Sequence, residues 1–459
     1  MNRVLIFFLL MISGRCFAQV EDSTFIRKIA DEILVNGKAY ENLRVLCKTV
    51  GARLAGSTGM YKAEDWGVKT LKAMGADKVY MQECKVPHWV RGGKDEAWIM
   101  YNDAKGKQVK IVLDVLAIGN SIGTGSNGIK APVILIQDFN ELEKRKDEIK
   151  GKIVFYNIPF NPRYIETGRA YGESGISRRS GASRAAEYGA VAVLIRSLSE
   201  SVDNNPHTGA LAYDTSLPKI PGAAIGLKDA DNLTGILSSG QKTDAYLKTM
   251  AHFLPDTTGH NIIGELTGSE FPNEFITVGG HLDSWDPAEG ANDDGAGCVH
   301  SLEVLRALKA IGYKPKHTIR VVLFANEENG LRGGTKYAEE AIAKNEKHIF
   351  ALESDNGGFT PRGFDFTMPS WQLTKIRAWL PLFLTYGVYF FGNGGGGADV
   401  SPLNQKSGVP VSEFRPDSQR YFDLHHARSD VFENVHKREL ELGAVNMAAL
   451  IYMVDKYGL

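Results

Sequence analysis

A regular alternation of strand-like and helix-like segments constrains the second half of the chain most. From Asn261 onward, short apolar runs alternate with longer segments whose apolar residues recur at helical spacing. The predicted strands are 275–279, 318–325, 349–354 and 388–391, and the predicted helices are 297–311, 333–343, 371–384 and 438–456. This alternation is typical of an α/β domain in which a mostly parallel mixed sheet lies between helices. Ligands of such sheets bind beyond the carboxyl ends of the strands.

Residues of the types that bind metals follow these predicted strands. The segments concerned are GGHLDS (279–284), GANDDG (290–295), NEENG (326–330), ESDN (353–356) and HHARSD (425–430). Imidazoles mixed with carboxylates, without thiolates, suit zinc or a related divalent ion. Two ions about 3.5–4 Å apart would need a bridging carboxylate and further ligands on each side. These segments contain enough donors for that.

Each segment also has an ordinary structural explanation. A histidine after a strand can cap a turn, paired acidic residues can begin a helix, and Asp-Asp-Gly is a common turn sequence. Paired histidines are more often at a surface than in a site. The occurrence of all these segments at successive strand ends of one sheet favours a metal site.

The residues before Asn261 are predicted to form two regions. Helical spacing is present over 22–38 and 63–74, and strand-like runs follow at 79–86, 97–101 and 109–116. Further short strands and an Arg/Ser-rich helix near 180–188 come next, without a cluster of metal-type ligands. The predicted division is 19–119 for the N-terminal part of the catalytic domain, 120–248 for an inserted domain and 249–459 for the rest of the catalytic domain.

A Gly-x-Gly-x-x-Gly pattern occurs at Gly123, Gly125 and Gly128. Dinucleotide binding by this pattern requires a helix that opens at the last glycine. A strand-like run follows here instead, so we interpret the segment as a loop.

The N-terminus and the overall charge indicate an exported protein that does not bind nucleic acid. A basic start at Arg3 and a short apolar run precede Ala18, which predicts a signal peptide over residues 1–18 and a secreted or periplasmic location. The run is shorter than the about 20 residues that span a bilayer, so no membrane span is expected. The formal net charge of −1 lacks the excess of positive charge that binding to nucleic-acid phosphates requires.

The motifs together resemble those of the co-catalytic zinc peptidases of the M28 type. The segments concerned are ITVGGHLDSWDPAEGANDDGAG, VVLFANEENGLRGG, ALESDNGG and YFDLHHARSD. The resemblance covers essentially the mature chain and implies the zinc-peptidase fold with an inserted protease-associated-type domain. It also implies two zinc ions as cofactors.

The resemblance implies a role for each metal-type residue. His281 and Asp355 would bind one zinc ion, Glu328 and His426 would bind the other, and Asp293 would bridge them. The Asp293–Asp294 peptide would be cis, as in relatives.

The resemblance also implies three residues that act beside the metals. Glu327 would be the general base, and Asp283 would accept the second N–H of the His281 imidazole. In the family the ligand histidine lies four residues before an acidic residue, a spacing that His426 and Asp430 match. His425 occupies the place where some relatives carry a tyrosine near the scissile carbonyl, so we expect it to stabilise the oxyanion. The opposite assignment of the two histidines stays open.

The implied activity is peptide-bond hydrolysis by an exopeptidase. The likeness favours a carboxypeptidase or dipeptidase acting on short unblocked peptides, and an aminopeptidase acting on longer peptides is the alternative. A non-catalytic binding protein on the same fold is a further alternative, and a homodimer is plausible by likeness. The loop from Gly392 to Asp399 matches the family only loosely, and Arg415, Arg420 and Arg428 are candidates for recognising a terminal carboxylate.

Overall fold

Two eight-stranded sheets organise residues 20–459, the part of the chain that this computed structural model describes. The strands are β1 (Lys78–Val90), β2 (Glu96–Asn102), β3 (Gln108–Leu113), β4 (Val115–Ala117), β5 (Ile129–Ile136), β6 (Ile153–Tyr156), β7 (Ala192–Arg196), β8 (Gly222–Ile225), β9 (Thr243–Lys248), β10 (His252–Leu266), β11 (Phe271–His281), β12 (His317–Phe324), β13 (Lys347–Glu353), β14 (Pro361–Thr367), β15 (Phe390–Asn393) and β16 (Val411–Pro416). The helices are α1 (residues 20–36), α2 (Ala39–Val45), α3 (Thr58–Ala73), α4 (Phe139–Lys144), α5 (Thr167–Ser174), α6 (Ile176–Glu187), α7 (Leu227–Ser238), α8 (Ala296–Ala310), α9 (Arg332–Ala343), α10 (Ser370–Arg377), α11 (Ser401–Ser407), α12 (Tyr421–Leu424) and α13 (Lys437–Tyr457). The predicted signal peptide lies outside the described residues.

The first sheet has the strand order β1-β10-β12-β11-β13-β16-β14-β15. Its four central strands, β12, β11, β13 and β16, are parallel, whereas β10 and β14 join them antiparallel. The predicted α/β fold with a mixed sheet between helices is confirmed. Because the central strands run in one direction, their carboxyl ends meet at one edge of the sheet.

Alternate residues of the central strands pack into two separate cores. On β12, Ile319 and Val321 pack with α8 and α13, whereas Val322 and Phe324 pack on the opposite face with α9 and α11. Every residue of this strand is buried, and its second half, Val321 to Phe324, is a continuous apolar run. Packing on both faces holds the strand ends in place.

The second sheet has the order β3-β2-β9-β5-β6-β7-β8-β4. Its strands β2 to β4 come before residue 120, so the predicted start of the inserted domain falls inside this sheet. The prediction placed this start too late because β2 pairs with a distant segment: Glu96 on β2 lies opposite Lys248 on β9. Ile129 opens β5 directly after the glycine-rich loop, and a strand therefore follows it as predicted.

Two local predictions differ from the structure. The helix predicted over 371–384 ends at Arg377, and two short 3₁₀ turns follow. Pro381 accounts for this end, because it lacks the N–H that would continue the helix. Strands β10, β14 and β16 of the first sheet were not predicted. Within residues 20–459, no helix is long and apolar enough to cross a bilayer.

Candidate metal centre

Three parallel strands deliver acidic and imidazole side chains to the same edge of the first sheet. β11 ends at His281, Glu327 and Glu328 follow β12, and Asp355 comes two residues after the end of β13. β12 and β13 flank β11 on its two sides. The side chains predicted from strand ends are therefore brought together.

The turn before α8 approaches the end of β11 so closely that a glycine is required there. A Cβ on Gly280 would lie 2.3 Å from a carboxylate oxygen of Asp294. This carboxylate accepts hydrogen bonds from the backbone N–H groups of His281 (3.0 Å) and Gly297 (2.9 Å). Asp294 thereby ties the turn to the strand and leaves Asp293 facing the site. The Asp293–Asp294 peptide is cis.

The two carboxylate oxygens of Asp293 face two different groups of donors. Oδ1 lies 3.2 Å from Nε2 of His281, which is itself 3.3 Å from Oδ1 of Asp355. Oδ2 lies 3.1 Å from Nε2 of His426 and 3.4 Å from Nε2 of His425. One carboxylate thus stands between two clusters of metal-type donors, where a bridging ligand would stand.

Glu328 contributes to the second cluster. Its Oε2 lies 3.0 Å from Nε2 of His426, and its Oε1 accepts a hydrogen bond from the backbone N–H of Trp285 at 3.2 Å. The His425 and His426 rings stack with centroids 3.5 Å apart, so both reach the cluster. His426 contacts the carboxylates of both Asp293 and Glu328, whereas His425 contacts that of Asp293 alone.

The buried polar atoms of this site fit divalent cations. Within residues 20–459, Asp293 Oδ2 and Asp355 Oδ1 are buried without a hydrogen-bond partner. Although burial lowers it, the carboxylates of Asp355 and Asp293 raise the pKa of His281 well above its ordinary value. The same attraction would favour a metal ion at Nε2. Burial lowers the pKa of His426, which favours the neutral imidazole that binds metals.

The Asp283 side chain differs from its predicted role. Nδ1 of His281 donates to the backbone carbonyl of Asp283 at 3.0 Å, whereas the nearer carboxylate oxygen is 3.7 Å away. The carboxylate accepts hydrogen bonds from the backbone N–H groups of Glu327 (3.0 Å) and Glu328 (3.3 Å) instead. A buried carboxylate needs donors, and these two are adjacent to it. The Asp283 carboxylate therefore positions the segment after β12, and its backbone carbonyl contacts the imidazole.

The backbone of Glu327 is held by its hydrogen bond to the Asp283 carboxylate. The Glu327 side chain lines a cleft beside Asp293. Burial raises the pKa of the Glu327 carboxyl well above its ordinary value, and the Asp355 and Glu328 carboxylates raise it further. A carboxyl that is less acidic than usual is better suited to accept and return a proton.

Asp430 and Arg53 support the site, and neither was identified as a functional residue from the sequence. The Asp430 carboxylate accepts hydrogen bonds from the backbone N–H groups of Asn292 (2.8 Å) and Asp293 (3.0 Å). The buried Arg53 guanidinium donates to backbone carbonyls after β11, including that of Gly290 at 2.8 Å. For Asp430, the four-residue spacing from His426 was the sequence signal that could have identified it. Arg53 has no such signal, because it contacts backbone carbonyls.

A segment between β7 and β8 of the second sheet orients the paired histidines. The N–H of Thr208 donates to the carbonyl of His426 at 3.0 Å, and Nδ1 of His426 donates to the carbonyl of Thr208 at 3.2 Å. Nδ1 of His207 donates to the carbonyl of His425 at 2.8 Å. With Nδ1 of His426 used in this way, its Nε2 is left for the metal centre.

The sequence is similar to known peptidases along nearly its whole length. The model of "Peptidase family M28" matches residues 261–451, the part that holds every candidate ligand. Mouse carboxypeptidase Q is 35% identical over 451 residues, which cover 96% of this chain and 93% of the relative. The chain belongs to peptidase family M28. It is accordingly a metallopeptidase.

Solved structures of other M28 peptidases share its fold. A peptidase M28 precursor from Shewanella amazonensis SB2B superposes with a TM-score of 0.89 at 32% identity, covering 95% of this chain and 97% of that chain. A zinc aminopeptidase from Bacillus subtilis gives a TM-score of 0.63 at 21% identity, over 91% of this chain and 94% of that one. The second likeness concerns the fold alone.

The cleft of this M28 peptidase lies between the two sheets' loops and has a volume of about 570 Å³. One side carries the acidic residues and histidines described above, and the other carries residues of α5 and α6. The latter residues are Tyr171, Arg178 and Arg179.

The three arginines considered as carboxylate-binding candidates do not line this cleft. Arg415 lies 3.3 Å from the carboxylate of Glu413, and Arg428 lies 2.7 Å from that of Asp114. Arg420 lies over an aromatic ring 5.3 Å away. Their charges are engaged elsewhere in the peptidase.

Proposed function

We propose that this M28 peptidase is an exported di-zinc exopeptidase that hydrolyses short unblocked peptides, above all dipeptides. The observation that carries the proposal is the Asp293 carboxylate, whose two oxygens face two donor clusters. The likeness to carboxypeptidase Q over 96% of the chain supports a carboxypeptidase or dipeptidase rather than an aminopeptidase. The aminopeptidase activity is an outcome that the test below distinguishes.

In this proposal two ligand sets share one carboxylate. His281 and Asp355 would hold the first zinc ion, His426 and Glu328 would hold the second, and Asp293 would be shared by both. When bound, such a pair of ions lowers the pKa of water and polarises a carbonyl group. The main-chain contacts of Asp430 and Thr208 keep the bridging carboxylate and the ligand histidine oriented before substrate arrives.

Glu327 moves the proton in the proposed reaction. Its carboxylate takes a proton from the attacking water as the new C–O bond forms at the scissile carbonyl. It then gives this proton to the leaving amine as the C–N bond breaks. His425 faces the same cleft and is proposed to stabilise the oxyanion that develops on the carbonyl oxygen.

Export and domain division are parts of the same proposal. Residues 1–18 direct export and are removed after Ala18, which leaves a secreted or periplasmic enzyme. The inserted domain of protease-associated type is proposed to start nearer Glu96 than residue 120, because β2 pairs with β9. The catalytic domain then comprises the residues on either side of it.

The test is hydrolysis of a set of unblocked dipeptides beside their N-acetylated and C-amidated forms. Each substrate is assayed with the purified enzyme, after chelation and after zinc is added back, with Glu327→Gln as the inactive control. Zinc-dependent cleavage that is lost on C-amidation supports the carboxypeptidase or dipeptidase activity. Cleavage that survives amidation but is lost on acetylation identifies an aminopeptidase, and no cleavage of any form by the zinc-loaded enzyme refutes the proposed activity.

A further inference from the structure

The Arg178 guanidinium on α6 is buried at the edge of the catalytic cleft. Its residue is 5% exposed and lines the cleft next to His426. Nη1 donates to the backbone carbonyl of Thr208 at 3.1 Å, and Nη2 donates to the Tyr171 hydroxyl at 2.5 Å. Within residues 20–459, Nε has no hydrogen-bond partner. Nη1 also lies 3.3 Å from Nδ1 of His426. The guanidinium therefore has only neutral partners among the described residues, and its Nε–H makes no hydrogen bond to any of them.

Other buried arginines of the chain are satisfied differently. Arg320, which is 3% exposed, lies 2.8 Å from the carboxylate of Glu265 and 2.6 Å from that of Glu346. Arg53 has no such carboxylate, but all three of its nitrogens donate to backbone carbonyls. No carboxylate among the described residues lies within 4.0 Å of Arg178. A buried cation without a counter-charge is costly, which points to an anion that arrives from the cleft.

The charges of the cleft are segregated. Its acidic residues, Asp293, Glu327, Glu328 and Asp355, surround the metal centre, whereas its two arginines are neighbours on α6. Arg179 is exposed at the rim and contributes positive charge without a close partner. This arrangement is complementary to a short zwitterionic peptide, whose carboxylate is only a few ångströms from its scissile bond.

We propose that Arg178 binds the C-terminal carboxylate of the peptide substrate and that Arg179 strengthens this attraction from the rim. The inference rests on the proposed function and adds to it the residue that reads the free C-terminus. Arginine suits this role because its planar donors match a carboxylate. The free Nε–H and the outward edges of the Nη groups are the donors available for it.

The experiment compares a dipeptide with its C-terminal amide in wild type, Arg178→Ala, Arg178→Lys and Arg179→Ala. A lost charge-assisted hydrogen bond predicts that Arg178→Ala lowers kcat/KM for the free acid by about 10–150-fold. The acid should lose much more activity than the amide, so the preference for acid over amide collapses toward one. Arg178→Lys should restore part of the preference, and Arg179→Ala should lower it by a smaller factor. Arg428→Ala, outside the cleft, is the matched control and should behave as wild type.

A merely structural role gives a different result. Arg178 also contacts the Thr208 carbonyl and Nδ1 of His426. Loss of these contacts would lower the activity on acid and amide equally. An unchanged acid-to-amide ratio in Arg178→Ala, or equal cleavage of both substrates by wild type, overturns the inference. If Arg178→Ala does not fold, the exposed Arg179→Ala and the charge-retaining Arg178→Lys decide, since an unchanged ratio in both also overturns it.

Failure of the proposed function is measured separately. If zinc-loaded wild type hydrolyses no peptide, calorimetric binding of the dipeptide and its amide replaces turnover. Tighter binding of the acid that is lost in Arg178→Ala and partly kept in Arg178→Lys sustains the carboxylate site without peptidase activity. Equal binding of acid and amide by a protein without hydrolytic activity rejects both the carboxylate site and the proposed peptidase activity.

Discussion

The carboxyl edge of the first sheet and the second-sheet segments that face it contribute different chemistry to the cleft. The sheet edge supplies side-chain carboxylates and imidazoles, such as Asp293 and His281, at the ends of buried parallel strands. The facing segments supply the backbone carbonyl of Thr208 and the guanidinium of Arg178. One region holds the proposed reacting groups, whereas the other contacts them through backbone atoms and carries the opposite charge.

The largest effect is expected from the sheet edge itself. Glu327→Gln keeps the shape of the side chain but removes its capacity to take a proton, so kcat should fall by about 10²–10⁴-fold. Zinc content, measured by plasma mass spectrometry, should be unchanged because Glu327 is outside the proposed ligand sets. Near-normal turnover in this variant would remove Glu327 from the mechanism.

The two neighbouring histidines at the sheet edge are expected to have different roles, zinc binding for His426 and oxyanion stabilisation for His425. His426→Ala should lose at least one of the two zinc ions, because His426 contacts both Asp293 and Glu328. His425→Ala should keep both ions and lower kcat. The zinc content of the two variants, measured in parallel, checks this prediction. Loss of zinc in His425→Ala but not in His426→Ala would make His425 the ligand instead.

A smaller effect is expected from the second region. His207→Phe leaves the buried carbonyl of His425 without its donor, so the free energy of unfolding should fall by about 1–3 kcal/mol. Because His207 acts only on the backbone, zinc should still bind at saturation while kcat falls less than in Glu327→Gln. Denaturant unfolding of the zinc-loaded protein and steady-state kinetics measure both quantities. An effect on kcat as large as that of Glu327→Gln would contradict the division between the regions.

The smallest effect is expected from an exposed ion pair between the two regions. Arg428 and Asp114 lie 2.7 Å apart with side chains 49% and 36% exposed. Such pairs contribute about 0–1 kcal/mol, so Arg428→Ala should change the free energy of unfolding by less than about 1 kcal/mol and leave kcat within about twofold. A large loss of dipeptide hydrolysis in Arg428→Ala would instead indicate that Arg428 binds the substrate.

The ends of β11, β12 and β13 were predictable because these buried parallel strands contain apolar runs, whereas the parallel strand β16 was not predicted. The residues after them, such as His281 and Asp355, could be placed at one edge from that pattern and from the resemblance. Asp283 was identified as part of the site, but its partner was wrong. The backbone carbonyl of Asp283 competes for the imidazole N–H, and a sequence contains no sign of where a carbonyl points.

The contribution of the second region could not be predicted in the same way. Thr208 meets His426 across 218 residues through backbone atoms, and such a contact leaves no spacing to recognise. Arg178 is one of several arginines in a polar helix, and only its burial without a counter-charge distinguishes it. The early start of the second sheet was missed for a related reason, since the pairing of β2 with β9 joins distant segments.

The most direct test of the central claim is a zinc titration of the metal-free enzyme, with bound zinc and dipeptide hydrolysis measured at each point. The account predicts that the chain binds two zinc ions and that hydrolysis rises with their binding. It also predicts that Asp293→Ala, which lacks the shared carboxylate, loses both tight binding and hydrolysis. Full activity of the metal-free enzyme, or normal binding of two ions by Asp293→Ala, would contradict a centre built on that carboxylate.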